Sequence, residues 1–103
     1  MYAVILITAP ERQEAEKIAQ VLVEEKLAAC VNIIADIHSI FWWEGKIDNS
    51  KETLLIIKTK KSRVKKLIKK VQSIHSYEVP EIITLPVIAG NKKYLNWIDE
   101  STR

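Results

Sequence analysis

The sequence predicts an α+β domain of the ferredoxin-like type, a βαββαβ arrangement in which an antiparallel sheet carries helices on one face. Apolar runs of strand length alternate with segments whose apolar residues recur at helical spacing, and one further helix follows at the C-terminal end. Residues 1–103 contain no repeat, linker or low-complexity segment, so we expect a single domain. A chain of this length can bury one core without disulfides.

The first strand and the first helix are predicted from the N-terminal quarter. Residues 2–8 form a continuous apolar run, which is typical of a strand that is buried on both faces. Thr8 and Glu11, on either side of Pro10, match a capping box and predict a helix over residues 10–26. The apolar residues at helical spacing are Ala15, Ile18, Ala19 and Leu22.

A long hairpin is predicted in the middle of the chain. Residues 28–40 are rich in Val and Ile and predict a strand, which Phe41-Trp42-Trp43 extends. Glu44-Gly45-Lys46 and Asp48-Asn49-Ser50 are typical turn residues. The second strand of the hairpin is predicted over residues 52–59, another apolar run.

Two further helices and a strand are predicted in the last third. Pro80 cannot donate to a sheet ladder, so it should start or edge the strand that is predicted over residues 82–88. Gly90-Asn91 then begins a short helix. The apolar residues that mark the two helices are Val64, Leu67, Ile68 and Val71 in one and Tyr94, Leu95, Trp97 and Ile98 in the other.

Cysteine content and the N-terminal stretch predict a compartment. Cys30 is the single cysteine, so no intrachain disulfide can form, and a lone thiol suits a reducing environment. The apolar run at residues 2–9 is too short to span a membrane and lacks the basic flank of a signal peptide. We therefore expect a cytoplasmic protein without membrane contact.

The lysine-rich stretch of residues 58–70 raises the question of nucleic acid binding. RNA-recognition modules of the same topology place stacking aromatic residues on a central strand, and residues 52–58 contain none. The lysines therefore indicate a solvated helix face, and we expect no nucleic acid partner. Gly45 and Gly90 are the only glycines, so the sequence contains no phosphate-binding loop and no nucleotide motif.

Metal ligation has three candidates of the thiol or imidazole type: Cys30, His38 and His75. Cys30 and His38 are eight residues apart on one predicted strand, about 26 Å at 3.3 Å per residue, so they cannot share an ion. Cys30 is interpreted first as a small buried hydrophobic residue. His75 is the better metal candidate, although a histidine after a helix can also pair with the helix dipole.

An ordered set of short motifs resembles the CutA divalent-cation tolerance family. Each motif is weak alone, whereas the ordered set is specific and runs from the first strand to the last helix. The motifs lie at Thr8-Ala9-Pro10, residues 25–32, residues 43–47, residues 52–59, residues 75–82 and residues 94–97.

The resemblance implies a small cytoplasmic protein that forms a tight homotrimer with PII-like architecture, the sheets joining edge to edge. It also implies a role in tolerance of copper or other divalent cations, as a metal-binding or signalling protein, with His75 and Cys30 as candidate ligands. Ser76 stands where the family usually has proline, which loosens the turn. Ile7 stands where some members carry a cysteine, which weakens the case for a copper site at that thiol.

A ligand cleft between subunits is the second expected site. Trp43, Lys58, Tyr77 and Glu81 combine aromatic and polar groups, as small-molecule sites do. One alternative is an enzyme or a sensor that holds a small phosphate or carboxylate ligand with Lys58 and Glu81. Another is a purely structural or protein-interaction module. No pair of nucleophile and base is visible in the sequence, so we expect no enzymatic activity.

Overall fold

The computed structural model describes residues 1–103 and contains four strands and three α-helices in the predicted order. The strands form one antiparallel sheet in the order β2-β3-β1-β4, which confirms the predicted α+β class. No helix is both long enough and apolar enough to cross a membrane. The elements are β1 (Tyr2–Ala9), α1 (Arg12–Glu24), β2 (Cys30–Trp43), β3 (Lys46–Lys60), α2 (Val64–Ile74), β4 (Ile82–Val87) and α3 (Lys92–Ser101), with a 3-10 turn at Lys61–Arg63.

The core lies between one face of the sheet and the helices α1 and α2. Alternate residues of the two central strands, β1 and β3, point to this face, as the period of a strand requires. On the other face, Val4 and Leu6 are only half-buried. The sequence predicted that β1 is buried on both faces, whereas in the single chain it is buried on one. The core residues are Ile5, Ile7, Ala9, Ala15, Ile18, Ala19, Leu22, Leu27, Ala28, Leu55, Ile57, Leu67 and Val71.

The terminal helix α3 lies against the opposite face of the sheet. Lys60 follows the buried Thr59 on β3 and so points away from α1 and α2, and its Nζ lies 3.0 Å from Asp99 Oδ1 on α3. Arg63 Nε donates a hydrogen bond of 2.8 Å to the Thr102 carbonyl oxygen just after α3. The prediction of helices on one face of the sheet therefore holds for α1 and α2, whereas α3 covers part of the other face.

The start of α1 differs from the prediction. Thr8 is the buried penultimate residue of β1, so its side chain is not available to cap a helix. The N-cap is Glu11, without a side-chain cap hydrogen bond, and α1 begins at Arg12. The predicted capping box is wrong because strand pairing between β1 and β3 continues through Ala9.

The hairpin between β2 and β3 is longer than predicted. Glu44 and Gly45 have φ of +50° and +78° and form a two-residue turn, for which glycine at the second position removes the steric cost. Residues 48–50 pair with β2 and are not a turn, because the two-residue turn brings the strands into register immediately. A bulge between Ile34 and Ile37, with Asp36 at φ +59°, bends β2 within the hairpin.

The Thr59 hydroxyl provides a test of how the loop after α1 is held. It is fully buried and donates a hydrogen bond of 2.7 Å to the Leu27 carbonyl oxygen. Thr59→Val keeps the side-chain shape but leaves that carbonyl unpaired, so we expect the free energy of unfolding to fall by about 1–3 kcal/mol. Urea denaturation at matched protein concentration measures this change.

Thr84→Val, at an exposed threonine of β4, is the matched control, and it should stay within about 0.5 kcal/mol of wild type. Equal losses in the two variants would show that the Thr59 hydrogen bond does not stabilise the fold.

Candidate functional site

The His75 ring ties the end of α2 to the end of β1. His75 ends α2 in an extended conformation, and its side chain is 0% exposed. Nε2 lies 2.8 Å from the Thr8 carbonyl oxygen, and Nδ1 accepts a hydrogen bond of 2.9 Å from the Tyr77 N–H. This pattern assigns a neutral imidazole with its proton on Nε2, so both ring nitrogens are occupied.

Glu14 of α1 contacts the same segment. Its Oε2 accepts a hydrogen bond of 2.9 Å from the Ser76 N–H and lies 3.4 Å from His75 Nδ1. Burial raises the pKa of Glu14, but hydrogen bonds from the Ser76 side chain and backbone, together with the nearby Lys17 ammonium, lower its pKa overall. The expected loosening at Ser76 is therefore offset, because a proline at this position has no N–H to donate to Glu14.

Tyr77 extends the network to the hairpin. Its hydroxyl donates a hydrogen bond of 2.8 Å to Glu52 Oε2 on β3, and its ring centroid lies 4.9 Å from that of His75. Burial and then the Glu52 carboxylate raise the pKa of Tyr77 to about 12. Residues 75–77 thus connect β1, α1 and β3. Sequence reasoning found His75 and Tyr77 but missed Glu14 and Glu52, whose partners lie far away in the chain.

Cys30 lies on the other face of the sheet. It is half-buried and pairs in the ladder with Lys58, whose Nζ lies 3.8 Å from its Sγ. Tyr94 of α3 is close by, and burial together with Cys30 raises the pKa of Tyr94. The interpretation of Cys30 as a core hydrophobic residue is wrong, because β2 begins there with its side chain directed away from α1 and α2.

The four expected cleft residues do not come together within one chain. Trp43 is 57% exposed at the tip of the hairpin, where it pairs with Lys46. Lys46 and Lys58 are twelve residues apart on β3, about 40 Å along the strand. Glu81 is exposed just before β4. A cleft between subunits therefore stays a prediction.

Metal binding also stays a prediction. No three side chains of the His, Cys, Asp or Glu type converge within the chain in a way that could hold an ion. His75 lies beside α1, whereas Cys30 lies beside α3, and His38 is exposed on the hairpin with Nε2 3.2 Å from Asn49 Oδ1. The single chain does not fit a preformed site, and ligation by His75 Nδ1 requires release of the Tyr77 N–H.

The lowered pKa of Glu14 predicts how stability depends on pH. Glu14→Gln should unfold more readily than wild type at pH 7. The contribution of the carboxylate is complete above its unfolded value of 4.5 and is lost as the pH falls through the lower native value, so the difference should shrink below pH 4.5. Urea denaturation from pH 7 to pH 3 provides the measurement.

Glu16→Gln on the same helix is the control, because Glu16 is exposed and makes a surface ion pair of 3.4 Å with Arg12 that contributes little. A difference between Glu14→Gln and wild type that stays constant across the pH range would contradict the expected titration.

Comparison with known proteins identifies the family. The family model for CutA1 divalent ion tolerance protein matches residues 3–101. The divalent-cation tolerance protein CutA of Thermus thermophilus is 46% identical over 102 residues, which cover 99% of each chain, and its solved structure superimposes with a TM-score of 0.97. The solved CutA structure from Archaeoglobus fulgidus has 47% identity, full coverage of both chains and a TM-score of 0.97. Rice protein CutA 1 is 47% identical over 97% of this chain, which spans 56% of the length of that relative.

The expected cytoplasmic location is wrong. The CutA of Archaeoglobus fulgidus is described as periplasmic, and the rice and Arabidopsis relatives are described as chloroplastic. Neither the lone cysteine nor the resemblance therefore assigns a compartment. The ordered motifs, the sheet order and the match over residues 3–101 lead to one conclusion: this chain belongs to the CutA1 divalent ion tolerance family.

Proposed function

We propose that this chain acts in divalent-cation tolerance as a homotrimer that binds copper or another divalent cation, and that it does so without catalysing a reaction. The observation that carries the proposal is the match to divalent-cation tolerance proteins over almost the whole chain, including 99% of the Thermus thermophilus relative. The assembly and the metal are supported by separate features of the chain.

Exposed area supports self-association. The chain has 7051 Å² of accessible surface, whereas a compact monomer of 11.8 kDa has about 5,900 Å². The excess of roughly 1,100 Å² exceeds the ~800 Å² that each partner buries in a standard interface. Three subunits are what the family resemblance implies.

The distribution of apolar side chains supports the same assembly. Ile83 and Leu85 of the edge strand β4 are 50% and 46% exposed, on the face opposite α1 and α2. Trp42 at the end of β2 is 73% exposed. Large apolar patches and an unpaired edge strand are liabilities in a monomer, and a neighbouring subunit covers both.

The hydrogen bonds of the His75 segment argue against catalysis by its side chains. A general base needs a free lone pair, and both His75 nitrogens are engaged in hydrogen bonds. A nucleophile needs a lowered pKa, and the pKa of Tyr77 is raised to about 12. These groups are arranged to hold the backbone of residues 75–77.

The assembly is tested by its mass in solution. We expect sedimentation equilibrium at micromolar concentration to give three times the chain mass of 11.8 kDa. Trp43→Ala should weaken the trimer more than Trp97→Ala, because a large aromatic residue at an interface often contributes about 2 kcal/mol or more, whereas the Trp97 ring packs on Tyr94 of its own chain at 5.4 Å.

A monomer mass at this concentration would contradict the proposed assembly. If Trp97→Ala weakens the trimer as much as Trp43→Ala or more, the expectation that Trp43 is the more important interface residue is wrong.

Copper binding is expected in the micromolar range or weaker, with His75 contributing more than Cys30. Imidazole suits Cu²⁺ among divalent ions, but ligation by Nδ1 costs the hydrogen bond from the Tyr77 N–H, which limits the affinity. Calorimetric titration of CuCl₂ into wild type, His75→Gln and Cys30→Ala ranks the two residues.

His38→Ala is the control for adventitious binding to an exposed imidazole, and thermal unfolding of each variant shows that it is folded. If Cys30→Ala abolishes binding while His75→Gln leaves it intact, the cysteine is the principal ligand and the assignment to His75 is wrong.

A further inference from the structure

A cleft of about 860 Å³ lies at the opposite end of β1 from His75. It is formed where the start of β1, the ends of β3 and β4 and the first turn of α2 meet, with α3 alongside. Small-molecule sites have volumes of roughly 300–1,000 Å³, so the cleft has the size of a ligand site. None of the residues in the expected metal site or the expected cleft between subunits lines it.

The cleft carries an uncompensated positive charge. Lys61 and Lys65 line it, and neither forms an ion pair with a carboxylate in the chain. They are four residues apart in the turn that enters α2, where like charges destabilise a helix unless an anion lies between them. Asp99 is the single carboxylate of the lining and is already bound by Lys60 at 3.0 Å and Arg103 at 3.1 Å.

The backbone at the cleft also favours an anion. The N-terminus of α2 opens towards it, with no acidic residue in the first turn and no side-chain cap. The Lys61 N–H donates to the Met1 carbonyl oxygen and the Val64 N–H donates to the Lys61 carbonyl oxygen, so the backbone contributes mainly through the helix dipole, which favours an anion at this end. The Ser62 hydroxyl lines the cleft and supplies one more donor.

Part of the remaining wall is apolar. Tyr2 of β1, Val64 at the start of α2 and Pro86 of β4 face the same space. A fully hydrated ion such as inorganic phosphate would use only the cationic side of the cleft, whereas an organic anion would use both sides. The combination selects a ligand with a multivalent anionic group on an apolar body.

We propose that this cleft is a binding site for a small organic anion that carries a phosphate ester or two carboxylates, held by Lys61 and Lys65 with its apolar body against Tyr2 and Val64. This activity goes beyond divalent-cation tolerance and requires no metal. Its lining includes none of the residues of the predicted cleft between subunits, so the two sites differ.

Metal-free calorimetry on the assembled protein tests the proposal with phenyl phosphate, phthalate and inorganic phosphate as probes. Wild type should bind at least one aromatic anion saturably and more tightly than inorganic phosphate. The double variant Lys61→Ala/Lys65→Ala should bind it about tenfold or more weakly, because charge-assisted hydrogen bonds are lost. Tighter binding of phenyl phosphate assigns the phosphate ester, and tighter binding of phthalate assigns the dicarboxylate.

Lys66→Ala/Lys69→Ala is the matched control, because it removes two exposed lysines from the same helix outside the cleft. It should leave binding within about twofold of wild type, and thermal unfolding should show both double variants folded. The proposal is overturned if no probe binds saturably, if inorganic phosphate binds as tightly as both aromatic anions, or if the two double variants lose binding equally.

Discussion

The buried His75 ring is the contact on which the arrangement of the second half of the chain depends. The segment between α2 and β4 has to turn from one layer of the domain back to the sheet edge, and it contains no regular secondary structure. His75 provides the hydrogen bonds that such a segment lacks, accepting from the Tyr77 N–H and donating to the Thr8 carbonyl oxygen. Buried polar networks of this kind stabilise strongly only when every group is paired, and no buried side-chain polar atom in the chain lacks a partner.

Burial on one face of the sheet is the second constraint. The helices α1 and α2 fill one face of β1 and β3, while α3 covers only part of the other, so apolar residues of β4 stay exposed. The strand β4, which follows the His75 segment, is therefore an unpaired edge of the sheet with an exposed apolar face. In the proposed trimer, fold and assembly are connected through this strand, because the position of β4 depends on the segment that His75 fixes.

Local patterns in the sequence predicted the order of the elements but not all of their limits. Helical spacing and apolar runs were sufficient to locate α2 and the two central strands, although β1 is buried on one face only and β3 starts earlier than predicted. The turn preference of residues 48–50 was overridden by cross-strand pairing with β2, and Thr8 was taken into β1 by pairing with Leu54. Cys30 was misplaced because the sequence does not show which face of β2 the helices cover.

The candidate functional site was predicted only in part, because local sequence does not show which distant residues contact it. His75 and Tyr77 stand in a recognisable motif, whereas their carboxylate partners carry no local signal. Ser76 and Glu14 are 62 residues apart, and Tyr77 and Glu52 are 25 apart, so only the folded chain brings them together. Glu14 is one of several glutamates of α1, and nothing in the local sequence distinguishes it from the others. Its role follows from packing of α1 against the end of α2, which periodicity does not specify.

The helix α2 links the two ends of the domain that carry functional groups. It begins at the cationic cleft and ends at His75, about 16 Å apart for 11 residues at 1.5 Å per residue. That distance exceeds the ~8 Å Debye length at physiological salt, so a cation at one end and an anion at the other would interact weakly through solvent. Any coupling between them would be carried by displacement of α2, which is packed through the fully buried Leu67 and Val71.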